Sequence, residues 1–186
     1  MEADLIRRAA QGDAEAFEAL VRQHEQIVFR LAYLIVGDAD DAQDIAQETF
    51  IRAYHALPHF DTERPLRPWL LQITRNLARN RRRALGRYAA ALTRAFRSAP
   101  QTTHSAEAEH AQRGEVQALW DAIRTLDARD QEIIYLRYML ELPVAETADI
   151  LNVEPGTVKS RLSRALTRLR GVVEADFPLL AEGRRP

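Results

Sequence analysis

The stretch PVAETADILNVEPGTVKSRLSRALTRLR, residues 143–170, contains two helical patterns separated by a tight turn. In the first pattern, Val144, Ala148 and Leu151 recur at the spacing of one helix face. Asn152 follows, and asparagine tolerates the left-handed backbone conformation in which helices often end. The second pattern has an apolar stripe of its own, formed by Val158, Leu162, Ala165, Leu166 and Leu169. The stretch therefore predicts two short helices that pack through their apolar faces.

The second of these helices has a strongly basic outer face. Residues 156–171 include five basic side chains and no acidic one. A short brace helix, a turn and TVKSR at the start of the next helix are the layout of a helix-turn-helix, whose second helix enters the major groove. Arginine can pair with both O6 and N7 of guanine, while serine and lysine can hold phosphates. A basic face alone would be equally typical of a solvated helix, but the three features together favour DNA binding.

Apolar spacing predicts three helices closer to the N-terminus. The first begins at an N-cap, Asp13, and ends at Gly37. The second begins at Asp38, runs to about Leu57 and turns five side chains inward: Ile45, Thr49, Phe50, Ala53 and Tyr54. The third has Pro68 in its first turn, where the missing N–H of proline costs nothing.

Residues 84–114 change in texture along their length. ALGRYAAALTRAFR, residues 84–97, can extend the third helix, but SAPQTTHSAEAEHAQRG, residues 98–114, is small, polar and aperiodic. Helical spacing returns at Val116, and Asp127 can cap a further helix. We therefore predict an all-α chain of two small helical domains joined by a flexible linker, with the helix-turn-helix in the second. The predicted boundaries are 1–97 for the first domain, 98–113 for the linker, 114–172 for the second domain and 173–186 for a tail.

Charge is distributed unevenly in a chain whose formal net charge is −1. Residues 1–50 have four arginines and eleven acidic residues, whereas residues 51–100 have eleven arginines and two acidic residues. RPWLLQITRNLARNRRR, residues 67–83, contains six of those arginines, two asparagines and no acid. Such asymmetry indicates two partners of opposite charge.

Composition argues against several classes of protein. The absence of cysteine excludes disulfides and thiol-based redox sensing, and it fits a reducing cytoplasm. The longest apolar run is Leu31 to Val36, whereas a membrane helix needs roughly 20 residues. The N-terminus lacks the basic-then-apolar order of a signal peptide. We expect a cytoplasmic protein with no membrane segment of its own.

No arrangement of residues in the sequence indicates catalysis. A glycine-rich phosphate loop, a cluster with metal-ligand spacing and a Ser/His/Asp arrangement with supporting context are all missing from the sequence. The five histidines are scattered, and Pro58 separates the one close pair, His55 and His59. We therefore expect a protein that is not an enzyme and that needs neither a cofactor nor a metal ion.

GTVKSRLSRALTRLR, residues 156–170, closely resembles the DNA-reading helix of bacterial sigma factors of the extracytoplasmic function (ECF) group, in the sigma-70 family. ETADILNV, residues 146–153, resembles the family's brace helix, EIA-x-x-LGV, and departs from it at Thr147 and Asn152, where Ile and Gly are usual. DADDAQDIAQETFIRAY, residues 38–54, resembles the family's polymerase-binding helix. Residues 67–83 fall on the helix that recognises and opens the minus-ten promoter element, so the resemblance covers nearly the whole chain.

The resemblance implies three binding surfaces, carried over residue by residue. Core RNA polymerase, through the β′ clamp helices and also β, would contact Asp41, Asp44, Gln47 and Glu48. The minus-ten element would contact Asp61, Arg67, Trp69, Arg75, Asn76, Arg79, Asn80 and Arg83, with arginines on phosphates and asparagines on the opened strand. The minus-thirty-five element would contact Thr157, Lys159, Ser160, Arg161, Ser163, Arg164 and Arg168.

Two of these assignments have alternatives in the sequence itself. Trp69 can stack on a base or anchor its helix, and its neighbours Leu66 and Leu70 favour the anchor. An acidic helix face such as that of residues 40–48 is often only solvated.

The resemblance also implies regulation by an anti-sigma factor that clamps both domains. Two other functions compete with a sigma factor. A stand-alone helix-turn-helix regulator explains the C-terminal half but leaves the acidic and arginine-rich helices without a shared purpose. A sigma mimic that sequesters an anti-sigma factor would not need Lys159, Arg161 and Arg164, and the chain has no room for the receiver domain that such a mimic would carry.

Overall fold

The computed structural model describes residues 2–95 and 111–177, and the regular structure in these ranges is helical. Eight α-helices follow one another: α1 Glu2–Ala10, α2 Ala14–Val36, α3 Ala39–Ala56, α4 Leu66–Ala95, α5 Ala111–Thr125, α6 Ala128–Ile134, α7 Val144–Leu151 and α8 Pro155–Asp176. A 3-10 turn, Leu57–His59, follows α3, and a π-helical turn, Tyr135–Met139, follows α6. The prediction of an all-α chain is confirmed. Most of the predicted linker lies outside the described residues.

Two aspartates begin the helices of the N-terminal half as the sequence predicts. The Asp13 carboxylate accepts a hydrogen bond from the backbone N–H of Ala16 at 3.0 Å. Asp38 accepts one from the N–H of Asp41 at 2.9 Å. Each satisfies a backbone donor that has no partner inside the helix, which is why these residues fix where α2 and α3 begin.

Two helices end in left-handed residues, also as predicted. Gly37 after α2 has φ 78°, and Asn152 after α7 has φ 54°. The N–H of Asn152 returns to the carbonyl oxygens of Ala148 and Asp149, which closes α7 within a single residue. This sharp end allows α8 to start at Pro155 and completes the helix-turn-helix geometry.

The first four helices pack around α2, and the last four pack around α8. Fully buried leucines, isoleucines and valines supply most of the core, among them Leu20, Leu31, Leu71, Ile133 and Ile150. Two buried hydroxyls are satisfied within their own helices: Thr49 donates to the carbonyl of Ile45 at 2.8 Å, and Thr74 donates to that of Leu70 at 2.9 Å. In addition, α4 packs against α7, so the arginine-rich helix contacts both halves of the protein.

Two sequence predictions about helix packing are wrong. Tyr54 was expected to face inward, but it is 42% exposed. It lies one residue beyond the buried stripe of Ile45, Thr49 and Ala53, and its ring packs edge-to-face on Phe17 at 5.0 Å. The apolar stripe from Val158 to Leu169 predicts that the last helix ends near Arg170, but α8 continues to Asp176 because Val172 packs against the core beyond Gly171.

The N-cap of α6 provides a test of local stability. Asp127 accepts hydrogen bonds from the N–H groups of Arg129 and Asp130, both at 2.9 Å. The bond from the Asp130 N–H is the main cause that holds the pKa of Asp127 below its ordinary value. A lowered folded-state pKa stabilises the protein above the unfolded-state pKa, and this stabilisation is lost as pH falls through the folded-state pKa.

Replacing Asp127 by alanine should lower the free energy of unfolding by about 1 kcal/mol at pH 7. Because the acid form of Asp127 caps poorly, the difference between wild type and D127A should shrink below about pH 4. Denaturant titrations at several pH values measure it. D127N is the matched control, since asparagine caps well without a charge and should remove only the pH dependence.

Candidate nucleic-acid interfaces

The outer surface of α8 presents polar and basic side chains, while Val158 and Ala165 are buried against the core. Lys159, Ser160, Ser163 and Arg164 are exposed, and Thr157 and Arg161 are half-buried at the edge of the same surface. Among the described residues, Ser160 and Arg164 form side-chain hydrogen bonds only within α8. The hydroxyl of Ser160 donates to the Thr157 carbonyl and the Nε of Arg164 donates to the Ser160 carbonyl, each at 3.2 Å. From Thr157 to Arg164 these side chains span about two helical turns, a length that suits the major groove.

Arg168 is placed differently from the rest of this set. It forms an ion pair with the carboxylate of Asp130, which is buried in α6. That hydrogen bond raises the pKa of Arg168. Arg168 therefore braces α8 against α6, while its side chain stays 54% exposed.

Helix α4 has two polar stripes with different surroundings. Asn76, Asn80 and Arg83 are exposed to solvent. Arg75 and Arg79, on the neighbouring stripe, are half-buried against α6 and face Glu132. The sequence placed both stripes on one DNA-binding surface, but only the asparagine stripe is open in this structure.

The remaining minus-ten residues lie in the loop before α4 and in the first turn of that helix. Asp61 is exposed, and its carboxylate accepts the N–H of Glu63 at 3.1 Å. Trp69 is half-buried, packs against the core and has its ring 4.6 Å from that of Phe60, as its interpretation as an anchor expects. Arg67 makes a two-pronged ion pair with Glu146 of α7, with its Nε 2.8 Å from Glu146 Oε2.

The acidic face of α3 is partly neutralised by arginines. Asp44 and Gln47 are exposed. Glu48 accepts from the Nε of Arg52 on the same helix at 2.7 Å, and Asp41 accepts from the Nε of Arg81 on α4 at 2.9 Å. Of the three carboxylates on this face, Asp41 and Glu48 each form an ion pair. Asp44 forms none within the described residues.

An apolar groove of about 770 Å³ adjoins this acidic face, between α2 and α3. Phe17, Phe29, Phe50 and Tyr54 supply its aromatic wall, and Gln47 lies at its edge. The groove is not predictable from a helical pattern that places Tyr54 in the core. Ile51, which is also exposed, was the available signal: a large apolar residue outside the buried stripe of α3.

Four acceptors in the C-terminal half were also missed: Asp130, Gln131, Glu132 and Glu146. Asp130, Gln131 and Glu132 are buried in α6, in the sequence ARDQEII. Acidic and amide side chains next to apolar ones in sequence normally indicate the solvated edge of a helix. The arginines that pair with them are distant in sequence, so no local pattern predicts the contacts.

In the described ranges, 2–95 and 111–177, no helix combines the length and hydrophobicity needed to cross a bilayer.

Comparison with known proteins identifies two family regions along the chain. Residues 20–88 match the family described as Sigma-70 region 2, and residues 116–169 match Sigma-70, region 4. The chain is 33% identical to the RNA polymerase sigma factor NccH of Alcaligenes xylosoxydans xylosoxydans, over 92% of this chain and 94% of NccH. It is 32% identical to the ECF RNA polymerase sigma factor BldN of Streptomyces coelicolor, over 93% of this chain but only 66% of BldN.

Two solved structures are similar over most of the chain. CnrH in complex with the cytosolic domain of CnrY aligns with a TM-score of 0.71 and 28% identity, covering 94% of this chain and 98% of CnrH. The sigma factor RpoE, in complex with the anti-sigma factor NepR from Bartonella quintana, aligns with a TM-score of 0.64 and 26% identity, covering 88% of this chain and 99% of RpoE. Both regions occur in order along one chain, and about a third of the aligned residues are identical in relatives that include ECF sigma factors, so this protein belongs to the ECF group of the sigma-70 family.

Proposed function

We propose that this chain binds core RNA polymerase, directs it to specific promoters and helps open the minus-ten region for transcription initiation. The observation that carries the proposal is the combination of two polar-to-basic helix surfaces, on α4 and α8, with an acidic face on α3. A stand-alone regulator has use for α8 only. A sigma factor needs all three, because it must hold two promoter elements and the polymerase at once.

At the minus-thirty-five element, α8 would enter the major groove with its N-terminal half. Arg161 and Arg164 would contact base edges, with Lys159, Ser160 and Ser163 on nearby phosphates. Thr157 would lie at the first turn, next to the backbone. Arg168 would stabilise the orientation of the helix through its pair with Asp130.

At the minus-ten element, the exposed stripe of α4 would read the opened strand. The amide of an asparagine both donates and accepts, so Asn76 and Asn80 can recognise the Watson–Crick edge of an unstacked base. Asp61, in the preceding loop, would help form a pocket for such a base. The energy for opening would come from binding the single strand rather than from hydrolysis, so the protein would act without catalysis or a cofactor.

Polymerase docking would use the acidic face of α3 on the β′ clamp helices, with the adjoining apolar groove beside it, and further contacts to β. Charge complementarity would speed docking and set its specificity, while burial of apolar surface would contribute affinity. Asp44 and Gln47 are the exposed members of the set, so they would make the first contacts. Glu48 and Asp41 would exchange their arginine partners for basic groups on the polymerase.

We also propose that an anti-sigma factor holds this chain inactive in the cytoplasm. The support is its likeness to RpoE, whose solved structure includes the anti-sigma factor NepR. Co-purification from the native host would identify such a partner. Recovery of the chain with core polymerase alone, under every growth condition, would contradict this part of the proposal.

The proposed function is tested by reconstitution with purified core polymerase followed by DNA selection. We expect a stable complex of the chain with core, and sequencing of the DNA retained by that complex should give a two-part motif. A single motif bound equally well without polymerase would instead indicate a stand-alone regulator. Binding to an anti-sigma factor, with no binding to core, would indicate a sigma mimic.

Replacing Asn76 and Asn80 together by alanine should weaken binding of the reconstituted complex to single-stranded minus-ten DNA by about tenfold, since each lost hydrogen bond contributes about 0.5–1.5 kcal/mol. The salt dependence of binding should not change, because asparagine neutralises no phosphate. Fluorescence anisotropy over a salt series measures both quantities. Arg83→Ala is the matched control on the same stripe, and it should lower the salt slope by about one. Unchanged affinity in N76A/N80A would exclude base reading by this stripe.

A further inference from the structure

Charged contacts join α4 to the C-terminal half of the protein at several points. Arg67 pairs with Glu146 on α7, and Arg82 donates to the side-chain oxygen of Gln131 on α6 at 2.9 Å. Arg75 and Arg79 both face Glu132, also on α6. Three of these four arginines, Arg67, Arg75 and Arg79, belong to the set that the family resemblance implies for minus-ten DNA.

Glu132 is the most enclosed group in this interface. Its side chain is only 2% exposed, and that of Arg75 is 12% exposed. The Nε of Arg75 donates to Glu132 Oε2 at 2.8 Å. The Nε of Arg79 lies 3.3 Å from Oε1, but this oxygen accepts no hydrogen bond, so Arg79 contributes charge only. A carboxylate removed from water this completely is tolerated only because it is paired.

The guanidinium groups that hold Glu132 and Glu146 have the chemistry that binds a phosphate, because carboxylates and phosphates accept the same pairs of N–H donors. An arginine whose donors are engaged by a carboxylate cannot give them to DNA at the same time. Glu132 and Glu146 therefore occupy the arginine donors that DNA phosphates would otherwise occupy. Within residues 2–95 and 111–177, the exposed stripe of Asn76, Asn80 and Arg83 forms no ion pair with a carboxylate.

We propose that the surface of α6 and α7 around Glu132 and Glu146 is a binding site for the protein's own minus-ten helix, and that it competes with promoter DNA. This inference rests on the proposed function of α4. In the closed form seen here, Arg67, Arg75 and Arg79 are withheld from phosphates. Promoter binding then requires the two halves to separate, and Glu132 sets how strongly they resist separation.

The experiment uses the full chain without polymerase and measures the distance between its halves. Because the chain has no cysteine, Gln23→Cys on α2 and Glu174→Cys on α8 give two unique sites for spin labels, both at exposed positions. The test variant is Glu132→Gln, which keeps the shape of the side chain and removes its charge. Asp121→Asn is the matched control: it removes the same charge from α5, where Asp121 contacts only Gln117 and Arg124 among its charged and amide neighbours.

We expect the wild type and D121N to give one short, narrow distance distribution by pulsed electron paramagnetic resonance. E132Q should raise the ratio of open to closed forms about tenfold or more, seen as a second, longer and broader distribution. The affinity of the free chain for a single-stranded minus-ten oligonucleotide should rise in step, and its salt slope should increase by about two as Arg75 and Arg79 are released. D121N should match the wild type in both measurements.

An unchanged distance distribution in E132Q, with helicity retained by circular dichroism, would overturn the proposal. If E132Q loses helicity, Glu146→Gln provides the second test, because Glu146 is less buried and faces Arg67 alone. A longer distance in E146Q supports the site, and an unchanged one excludes it. The distance measurement needs no promoter, so it tests the internal contact of α4 independently of the proposed function in promoter recognition. If E132Q opens but binds no DNA, even with core polymerase, the contact between α4 and the C-terminal half is supported and the proposed minus-ten role of α4 is rejected.

Discussion

Replacing Arg161 and Arg164 together by alanine is expected to weaken promoter binding by the polymerase complex by about 2–6 kcal/mol, because each arginine contact to a base edge contributes about 1–3 kcal/mol. The two side chains lie near each other on the outer surface of α8, and neither pairs with a carboxylate among the described residues. Loss of both should leave the fold unchanged. Anisotropy titrations on a promoter fragment that has only the minus-thirty-five element measure the effect.

The control for this variant removes the same charge from a different surface. Arg124→Ala with Arg129→Ala takes two exposed arginines from the α5–α6 region, and it should change promoter affinity only slightly. Binding to core polymerase should be the same in both double variants. Equal losses of DNA and core binding in R161A/R164A would show misfolding, and equal DNA losses in the two double variants would show that α8 contributes only non-specific charge.

Reversing the charge of Asp44 and Glu48 to lysine is expected to abolish stable binding to core polymerase. Like charges brought together at an interface cost several kcal/mol, and two reversals on adjacent turns of α3 place both on the docking face. Glu48→Lys also loses its pair with Arg52, which is exposed and contributes at most about 1 kcal/mol to stability. Surface plasmon resonance against immobilised core measures the loss, and thermal unfolding checks the fold.

Glu15→Lys with Glu18→Lys is the matched control, since both residues are exposed on α2 and the change of charge is the same. This control variant should bind core like the wild type, and D44K/E48K should still bind the isolated promoter elements. Unchanged core affinity in D44K/E48K would mean that the acidic face of α3 is only solvated. A similar loss in both variants would mean that overall charge, rather than this face, governs docking.

The parts of the fold that local chemistry decides could be predicted from the sequence. Asp13, Asp38 and Asp127 begin helices because a carboxylate satisfies the first backbone donors. Asn152 ends α7 because it accepts positive φ at low cost. The helix-turn-helix is predictable for the same reason: its turn, cap and apolar stripe all lie within 28 consecutive residues, 143–170.

The arrangement of charges between distant helices could not be predicted in this way. Glu132 and Arg75 are 57 residues apart, and Glu146 and Arg67 are 79 apart. Each acid alone resembles a solvated side chain, and each arginine alone resembles a phosphate ligand. Only tertiary packing of α4 against α7 and α6 brings them together. The structure is therefore needed to show that the asparagine stripe of α4 is exposed while its arginine stripe is paired with a carboxylate.

Transcription in vitro is the most direct test of the central claim. Purified core polymerase is incubated with a template that contains the two-part motif chosen by DNA selection, with or without this chain, and run-off RNA is quantified. We expect RNA from this promoter only when the chain is present, and none when the D44K/E48K variant replaces it. Failure of the chain to bind core, or to start RNA synthesis from any selected promoter, would contradict the account.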